Sequence, residues 1–191
     1  MVTIAPTRFT AADLEKLPDV PGWRYEIIDG ELHVAKAVGW EHQYAADEIL
    51  LALKLWVRER GTGLVMSAPG VVFADDDNVI PDVIWLSGDQ VPHAADAAGH
   101  IIVAPALAVE VLSPGAANER RDRELKLDLY SRRGVREYWI VDWQRREVSL
   151  HRREGSRLSR TDTLMGEATI TSPMLPGFSC PLSSLWLPVA S

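Results

Sequence analysis

The segment PALAVEVLSPG, residues 105–115, places a charged side chain inside an apolar run. Val109 precedes Glu110, and Val111 and Leu112 follow it. A short apolar run of this kind, bounded by turn residues, is typical of a buried strand. An ionised carboxylate is costly to bury unless a positive charge meets it. The sequence therefore predicts a buried strand in which Glu110 contacts either an Arg or Lys side chain, as a structural ion pair, or a metal ion, as an active site.

The segments around this strand predict both strands and helices, with no repeats and no linker. Alternating polar and apolar residues indicate strands, and a turn at Asp29-Gly30 indicates a hairpin. Glycines at the ends of the two longest helical patterns are typical of helix C-caps. The predicted elements are a hairpin over 23–36, a helix over 41–61, a helix over 119–133 and two strands over 136–153. The interpretation is one α+β domain that covers residues 1–191.

The composition is that of an ordinary globular protein, with 47% hydrophobic and 25% charged residues. No apolar run approaches the roughly 20 residues that a membrane helix needs. The N-terminal segment lacks the basic region and apolar core of a signal peptide. The single cysteine, Cys180, excludes an internal disulfide and a cysteine-based zinc cluster. We therefore expect a cytoplasmic protein with no membrane partner.

The charges are unevenly distributed along the chain. The net charge is −7, yet 13 of the 20 Lys and Arg residues lie within residues 117–160, directly after the Glu110 strand. A basic face beside an acidic pocket would suit a metal-dependent enzyme that acts on a polyanion. The simpler interpretation, which the charge pattern alone favours, is a solvated helix and hairpin.

A second acidic residue, Asp82, follows Pro81 and opens the apolar run VIWLS. If this strand and the Glu110 strand are antiparallel neighbours, the start of one meets the end of the other, so Asp82 and Glu110 converge at one end of the sheet. Two adjacent carboxylates repel, and a shared proton or a divalent cation relieves that repulsion. Oxygen ligands suit Mg²⁺ or Mn²⁺ better than Zn²⁺. In the alternative, Asp82 caps a turn and Glu110 pairs with an arginine.

The motifs PDVIW, VEVLSPG and RDRELKLDLYSRRGVREYWIVD, in this order, resemble the Uma-two family of predicted restriction endonucleases, a branch of the PD-(D/E)XK nuclease superfamily. The resemblance extends to WRYEIIDGEL and EHQ near the front and to TSPMLPGFS near the end. It implies a restriction-endonuclease-like mixed central sheet flanked by helices, with an additional N-terminal β-hairpin.

The resemblance also implies roles for individual residues. Asp82 matches the Asp of the PD element, and Glu110 matches the acid of the (D/E)XK element. Two residues later the superfamily pattern has Lys, whereas this sequence has Leu112. The nearest substitute is Lys126 in the family-like run RDRELKLDLY. The resemblance thus implies Asp82, Glu110 and Lys126 as catalytic residues, with the lysine moved to the following helix.

Helical spacing is compatible with this substitution. Asp122, Lys126 and Tyr130 recur every four residues and share one face of the predicted helix. A long lysine stem can run along apolar surface and deliver its charge to the strand ends. The alternative is a simple surface pair between Asp122 and Lys126. Two further candidates, Glu26 as an additional acid and His42 as a substrate contact or proton carrier, have equally simple alternatives as an exposed charge and a structural histidine.

Two functional hypotheses follow. The first is a Mg²⁺- or Mn²⁺-dependent nuclease that hydrolyses phosphodiester bonds, with DNA as its expected substrate and a homodimer expected by analogy. Its metal ligands would be Asp82, Glu110, the Val111 carbonyl and Glu26, and its substrate contacts would be Arg120, Arg121, Arg123 and His42. The second is a catalytically degenerate module that binds nucleic acid or a protein partner without cleavage, which Leu112 favours. A weaker third hypothesis is a purely structural domain.

Overall fold

The structure is a computed structural model that describes residues 8–188. These residues form twelve strands, which are numbered here in chain order. The strands are β1 (Trp23–Ile28), β2 (Glu31–Lys36), β3 (Leu64–Ser67), β4 (Val71–Ala74), β5 (Asp77–Val79), β6 (Val83–Leu86), β7 (Leu107–Val111), β8 (Glu137–Asp142), β9 (Glu147–Glu154), β10 (Arg157–Met165), β11 (Thr169–Ser172) and β12 (Leu175–Pro181).

The strands form three sheets. The largest has six strands in the order β10-β9-β8-β7-β6-β3, and within it only β7 and β8 run parallel. A four-stranded sheet has the order β2-β1-β5-β4, and β11 pairs with β12. The α+β class with a mixed central sheet is therefore confirmed. The predicted N-terminal hairpin is also confirmed as β1 and β2, but it is part of the larger four-stranded sheet.

Helices lie on both faces of the six-stranded sheet, with Trp40–Arg60 packed on one face and Lys126–Arg133 on the other. Two single-turn 3-10 segments, at Val91–His93 and Leu182–Leu185, complete the described elements. The α-helices are α1 (Ala11–Leu14), α2 (Trp40–Arg60), α3 (Ala116–Arg120) and α4 (Lys126–Arg133). No helix within residues 8–188 is both long enough and apolar enough to cross a membrane.

Helix α2 packs on one face of the six-stranded sheet. Its buried side chains include Ala45, Ile49, Leu53 and Trp56, the apolar stripe that the sequence predicted. Gly61 ends the helix in the left-handed conformation, at φ 67°, as a C-cap glycine does. The strands β11 and β12 cover the same face of the sheet, so these elements enclose one of the two apolar cores.

The second helical segment runs from α3 into α4 through a π-helical turn at Arg121–Leu125. It begins at residue 116, three residues before the predicted start, and it ends at Gly134 as predicted. A π-helical turn widens the helix and is frequent at functional sites. Here the turn lies directly before Lys126, and it buries the side chains of Arg121 and Asp122.

Strand β7 is buried along its whole length, which the apolar run predicted. Val109 and Val111 face the core under α2, whereas Ala108 and Leu112 face the second core, which contains Leu129 and Tyr130 of α4. Because side chains alternate along a strand, Glu110 lies on the α4 side of the sheet. This orientation places its carboxylate in reach of Lys126.

The matched pair Leu53→Ala and Leu51→Ala tests the packing of α2. Leu53 is 0% exposed and Leu51 is 49% exposed on the same helix. We expect Leu53→Ala to lower the free energy of unfolding by about 2–5 kcal/mol, because it leaves a cavity in the core. Leu51→Ala should change it by less than ~0.5 kcal/mol. Urea denaturation followed by circular dichroism measures both values, and equal effects would contradict this packing.

Candidate active site

Asp82 and Glu110 lie at the same end of the six-stranded sheet. Strands β6 and β7 are antiparallel, with Val83 opposite Val109, so Asp82 lies just before β6 and beside the end of β7. The backbone N–H of Val111 donates a hydrogen bond to Asp82 Oδ2 over 2.9 Å. Both carboxylates line a cavity of about 20 Å³. The convergence that the antiparallel arrangement predicted is therefore present.

The positive partner of Glu110 is Lys126. The Lys126 Nζ atom donates to Glu110 Oε1 over 2.8 Å, and the Tyr130 hydroxyl donates to the same oxygen over 2.8 Å. Glu110 is 2% exposed and Lys126 is 1% exposed, so this contact lies away from bulk water. The four-residue spacing of Asp122, Lys126 and Tyr130 places all three at this cluster, and Lys126 is not a surface residue.

Glu26 reaches the cluster from the four-stranded sheet. Its Oε1 atom lies 2.8 Å from Lys126 Nζ and accepts a hydrogen bond from the Ile80 backbone N–H over 2.6 Å. Glu26 is buried, unlike the exposed hairpin charge that was its alternative. The Lys126 ammonium therefore bridges two carboxylates that belong to two different sheets.

The π-helical turn adds a second ion pair to the cluster. The guanidinium of Arg121 donates to both oxygens of Asp122, over 2.8 and 3.1 Å, and its Nε atom lies 3.6 Å from Glu26 Oε2. Asp122 Oδ1 lies 3.9 Å from Lys126 Nζ. The structure thus places Arg121 inside the cluster, while its predicted role as a substrate contact stays a prediction.

His42 and Arg24 hold the second carboxylate, Asp82. His42 Nε2 lies 3.2 Å from Asp82 Oδ2, and Arg24 donates to Asp82 Oδ1 over 3.4 Å. His42 is buried, and its Nδ1 atom has no hydrogen-bond partner among the described residues. Sequence reasoning missed Arg24, although the alternation along β1 places it on the same strand face as Glu26.

Burial and charge act differently on the two central acids. Burial raises the pKa of Glu110 well above its ordinary value; the Lys126 charge opposes this shift, and the charges of Asp82, Asp122 and Glu26 add to it. Burial alone would also raise the pKa of Asp82, but the contacts with His42 and Val111 and the Lys126 charge outweigh burial and lower it. Asp82 is therefore the more readily ionised member of the pair.

The cationic and phenolic partners stay protonated at neutral pH. Burial would lower the pKa of Lys126, but the charges of Glu110, Glu26 and Asp122 dominate and raise it. Burial, together with the Glu110 charge, raises the pKa of Tyr130 well above its ordinary value. Lys126 is therefore an ammonium ion here, and Tyr130 is a hydrogen-bond donor to Glu110.

The remaining predicted residues lie near this cluster in sequence but differ in exposure. The side chain of Arg120 is 70% exposed and pairs with Glu124 over 3.3 Å. Arg123 pairs with Asp142 over 2.7 Å. Leu112, at the position where the superfamily pattern has Lys, is buried in the apolar core beside α4.

The cavity presents carboxylate oxygens, which are the kind of ligand that a small divalent cation prefers. Within residues 8–188 no group of three or more His, Cys, Asp or Glu side chains is arranged so that it could hold a metal ion. Mg²⁺, however, is commonly held by one or two carboxylates and completed by waters and substrate phosphate. A cavity of about 20 Å³ has room for one water-sized species. Asp82, Glu110, Glu26 and Val111 all line this cavity.

Comparisons with known proteins agree with this geometry. A family model described as "Putative restriction endonuclease" (Uma2) matches residues 11–184. A crystal structure described as "a putative nuclease belonging to DUF820", from Anabaena variabilis, has the same fold, with a TM-score of 0.74 and 16% sequence identity over 93% of this chain and 97% of that chain. No curated protein matches this chain significantly. Because the family model spans most of the sequence, the chain belongs to the Uma2 family, as its motifs predicted.

Proposed function

We propose that this protein is a Mg²⁺- or Mn²⁺-dependent nuclease that hydrolyses phosphodiester bonds in DNA. The observation that carries the proposal is the cavity at the start of β6 and the end of β7, where two carboxylates and a buried ammonium meet. Membership of a family described as restriction endonucleases supports the reaction class.

Asp82 and Glu110 are the proposed ligands of the cation, and Glu26 and the Val111 carbonyl complete the proposed set. A bound divalent ion would polarise the scissile phosphate and lower the pKa of a bound water. Asp82 is pre-oriented for this role, because the Val111 N–H and His42 fix its Oδ2 atom. Glu110 is held through Oε1 by Lys126 and Tyr130.

Lys126 acts in this proposal as a fixed positive charge. Its raised pKa keeps it protonated at neutral pH, so it is unsuited to accept a proton from water. Its ammonium can donate a hydrogen bond to the attacking water or to the phosphate oxygen that gains negative charge. Proton transfer falls instead to His42, whose Nδ1 atom lacks a partner among the described residues.

Exposed arginines provide the proposed contacts with the DNA backbone. Arg120 is the most exposed of the three predicted contacts, and Arg123 is partly exposed at the same helical segment. Contacts with phosphates supply affinity but little sequence preference. Arg121, with its guanidinium held by Asp122, is better placed to orient the cluster than to meet DNA. A homodimer that would cut both strands stays an expectation by analogy.

The variants Asp82→Asn and Glu110→Gln test the metal assignment. We expect each to lower kcat/KM for Mg²⁺-dependent DNA cleavage by at least ~100-fold, because each removes a charged ligand that the cation needs. Plasmid nicking with Mg²⁺, with Mn²⁺ and with EDTA measures this loss. The control is Glu124→Gln, in the π-helical turn before Lys126. It changes a carboxylate that is 67% exposed and should retain activity. Cleavage by Asp82→Asn at the wild-type rate would contradict the assignment of Asp82 as a metal ligand.

The variant Lys126→Gln separates the structural role of the lysine from its catalytic role. Removing it leaves Glu26 and Glu110 without their shared cation, and we expect a loss of about 3–5 kcal/mol in unfolding free energy. Added Mg²⁺ should restore part of that stability while cleavage stays at least ~100-fold reduced. Thermal unfolding and nicking assays at matched Mg²⁺ concentrations measure the two effects. If Mg²⁺ restores both the stability and the cleavage activity of Lys126→Gln, Lys126 has a structural role alone.

The salt dependence of binding tests the backbone contacts. We expect Arg120→Ala to reduce the slope of log Kd against log salt concentration by about one, because it removes one phosphate contact. Lys54→Ala, an exposed change on α2, should leave the slope unchanged. Fluorescence anisotropy with a labelled DNA duplex measures both slopes. If the wild type, Arg120→Ala and Lys54→Ala have identical slopes, Arg120 is not part of the proposed interface.

The alternative function is a nuclease-fold module that binds without cleavage. Two observations favour it: Leu112 replaces the motif lysine, and the Lys126 ammonium already occupies one oxygen of both Glu26 and Glu110. Such a module would bind nucleic acid or a protein partner and cleave no substrate with any divalent ion. Isothermal titration with Mg²⁺ alone distinguishes the two cases, since a degenerate site would bind the ion no better than Asp82→Asn does.

A further inference from the structure

A second pocket, of about 400 Å³, is lined by residues at the start of α2, in the turn between β8 and β9 and near the end of the described chain. Pockets of this size are typical of small-molecule sites. We call it the indole groove, after the two tryptophans that line it. Its lining includes Trp143 and Trp186, the apolar side chain of Leu185, and the polar side chains of Glu41, Gln144 and Arg146.

The indole groove is connected to the active site through two short links. The Trp143 indole N–H donates to the Leu112 carbonyl over 3.0 Å, and Leu112 follows Val111, whose N–H binds Asp82. Glu41, which also lines the groove, directly precedes His42, whose Nε2 lies 3.2 Å from Asp82. Residues that line the groove are therefore hydrogen-bonded to a chain neighbour of residues that line the candidate site, or adjacent in the chain to one of them, and this connection places the groove on the same side of the protein.

The lining of the indole groove has the chemistry of a nucleobase site. Indole faces stack on planar aromatic rings, and every base has such a face. The Gln144 amide and the Glu41 carboxylate can form hydrogen bonds with base edges. Arg146 forms no ion pair with any residue of the described chain, so its guanidinium is available to a phosphate. An exposed guanidinium suits an anionic ligand, although the lining of the groove also includes the Glu41 carboxylate.

We infer that the indole groove binds one unpaired nucleobase of the substrate strand, next to the phosphate that is cleaved. This inference rests on the proposed nuclease function and names its substrate class: DNA with at least one unpaired nucleotide, such as a single strand or an overhang. A base within a duplex is stacked on its neighbours, so it reaches a protein pocket only after it leaves the stack. An unpaired base avoids that energetic cost.

Binding of single-stranded DNA to the full chain tests the inference. The probe is a labelled single strand of about 12 nucleotides, and its competitor is the blunt duplex of the same sequence. Anisotropy in EDTA, which prevents cleavage, should show tighter binding of the single strand. Deoxyadenosine monophosphate should also quench tryptophan fluorescence in the wild type.

Substitutions at the indole groove identify where the base binds. Trp186→Ala should weaken single-strand binding roughly 5- to 150-fold, the range found when a stacking aromatic is removed. Trp186→Phe should restore most of the affinity, because it keeps an aromatic face. Arg146→Gln changes an exposed side chain, so it leaves the core intact and should weaken binding independently. The control Trp23→Ala removes an exposed tryptophan, 45% exposed, that does not line the groove and should bind normally.

The outcomes separate this inference from the proposed function. If Trp186→Ala and Arg146→Gln bind the single strand as the wild type does, the inference is overturned, even when Mg²⁺-dependent cleavage of duplex DNA persists. Equal affinity for the single strand and the duplex would overturn it in the same way. A chain that binds no nucleic acid and cleaves none would overturn both proposals. Weaker binding in both groove variants, with Trp23→Ala unaffected, would establish the site.

Discussion

The buried ammonium of Lys126 is the contact on which the arrangement of the site depends. It lies 2.8 Å from Glu110 of β7 and 2.8 Å from Glu26 of β1, so one charge joins α4 to two sheets. Burying an ion is costly, and that cost is offset only when partners surround the charge with good geometry. Since the three side chains come from distant parts of the sequence, the cluster forms only when both sheets and α4 have packed together.

This cluster differs from an ordinary structural ion pair in its charge balance. Four buried carboxylates, those of Glu26, Asp82, Glu110 and Asp122, face the two buried cations Lys126 and Arg121. Arg24 contributes a third positive charge, but from a side chain that is partly exposed. Burial, together with the charges of the neighbouring acids, raises the pKa of Glu110, and a bound cation would relieve the negative charge that remains. A site selected for stability alone would have no reason to keep this excess of acids away from water.

The parts of the structure that follow from local sequence were predictable, and the parts that follow from long-range pairing were not. Alternation and apolar runs located β6 and β7, and their antiparallel pairing then brought Asp82 to Glu110. The single backbone pairing of Ile27 with Asn78, which brings β1 and Glu26 to the site, has no local signal. The π-helical turn that buries Arg121 has no local signal either, because regular helical spacing does not reveal it. Strand β10 was missed because it is an edge strand with mostly exposed residues and no apolar alternation.

Leu112 stands where the superfamily motif has Lys, and it is the residue that most weakens the match to the motif. The structure gives a physical reason why the positive charge can come from another position in the sequence. Leu112 directly follows β7 and is two residues from Glu110, so both side chains lie on the α4 side of the sheet. At Leu112 that side is filled by an apolar core, which a lysine would disrupt. Lys126 instead runs its stem from α4 and brings its ammonium within 2.8 Å of Glu110 Oε1. Electrostatic stabilisation depends on where a charge lies and not on which element carries it. The absence of the motif lysine is therefore weak evidence against catalysis in this chain.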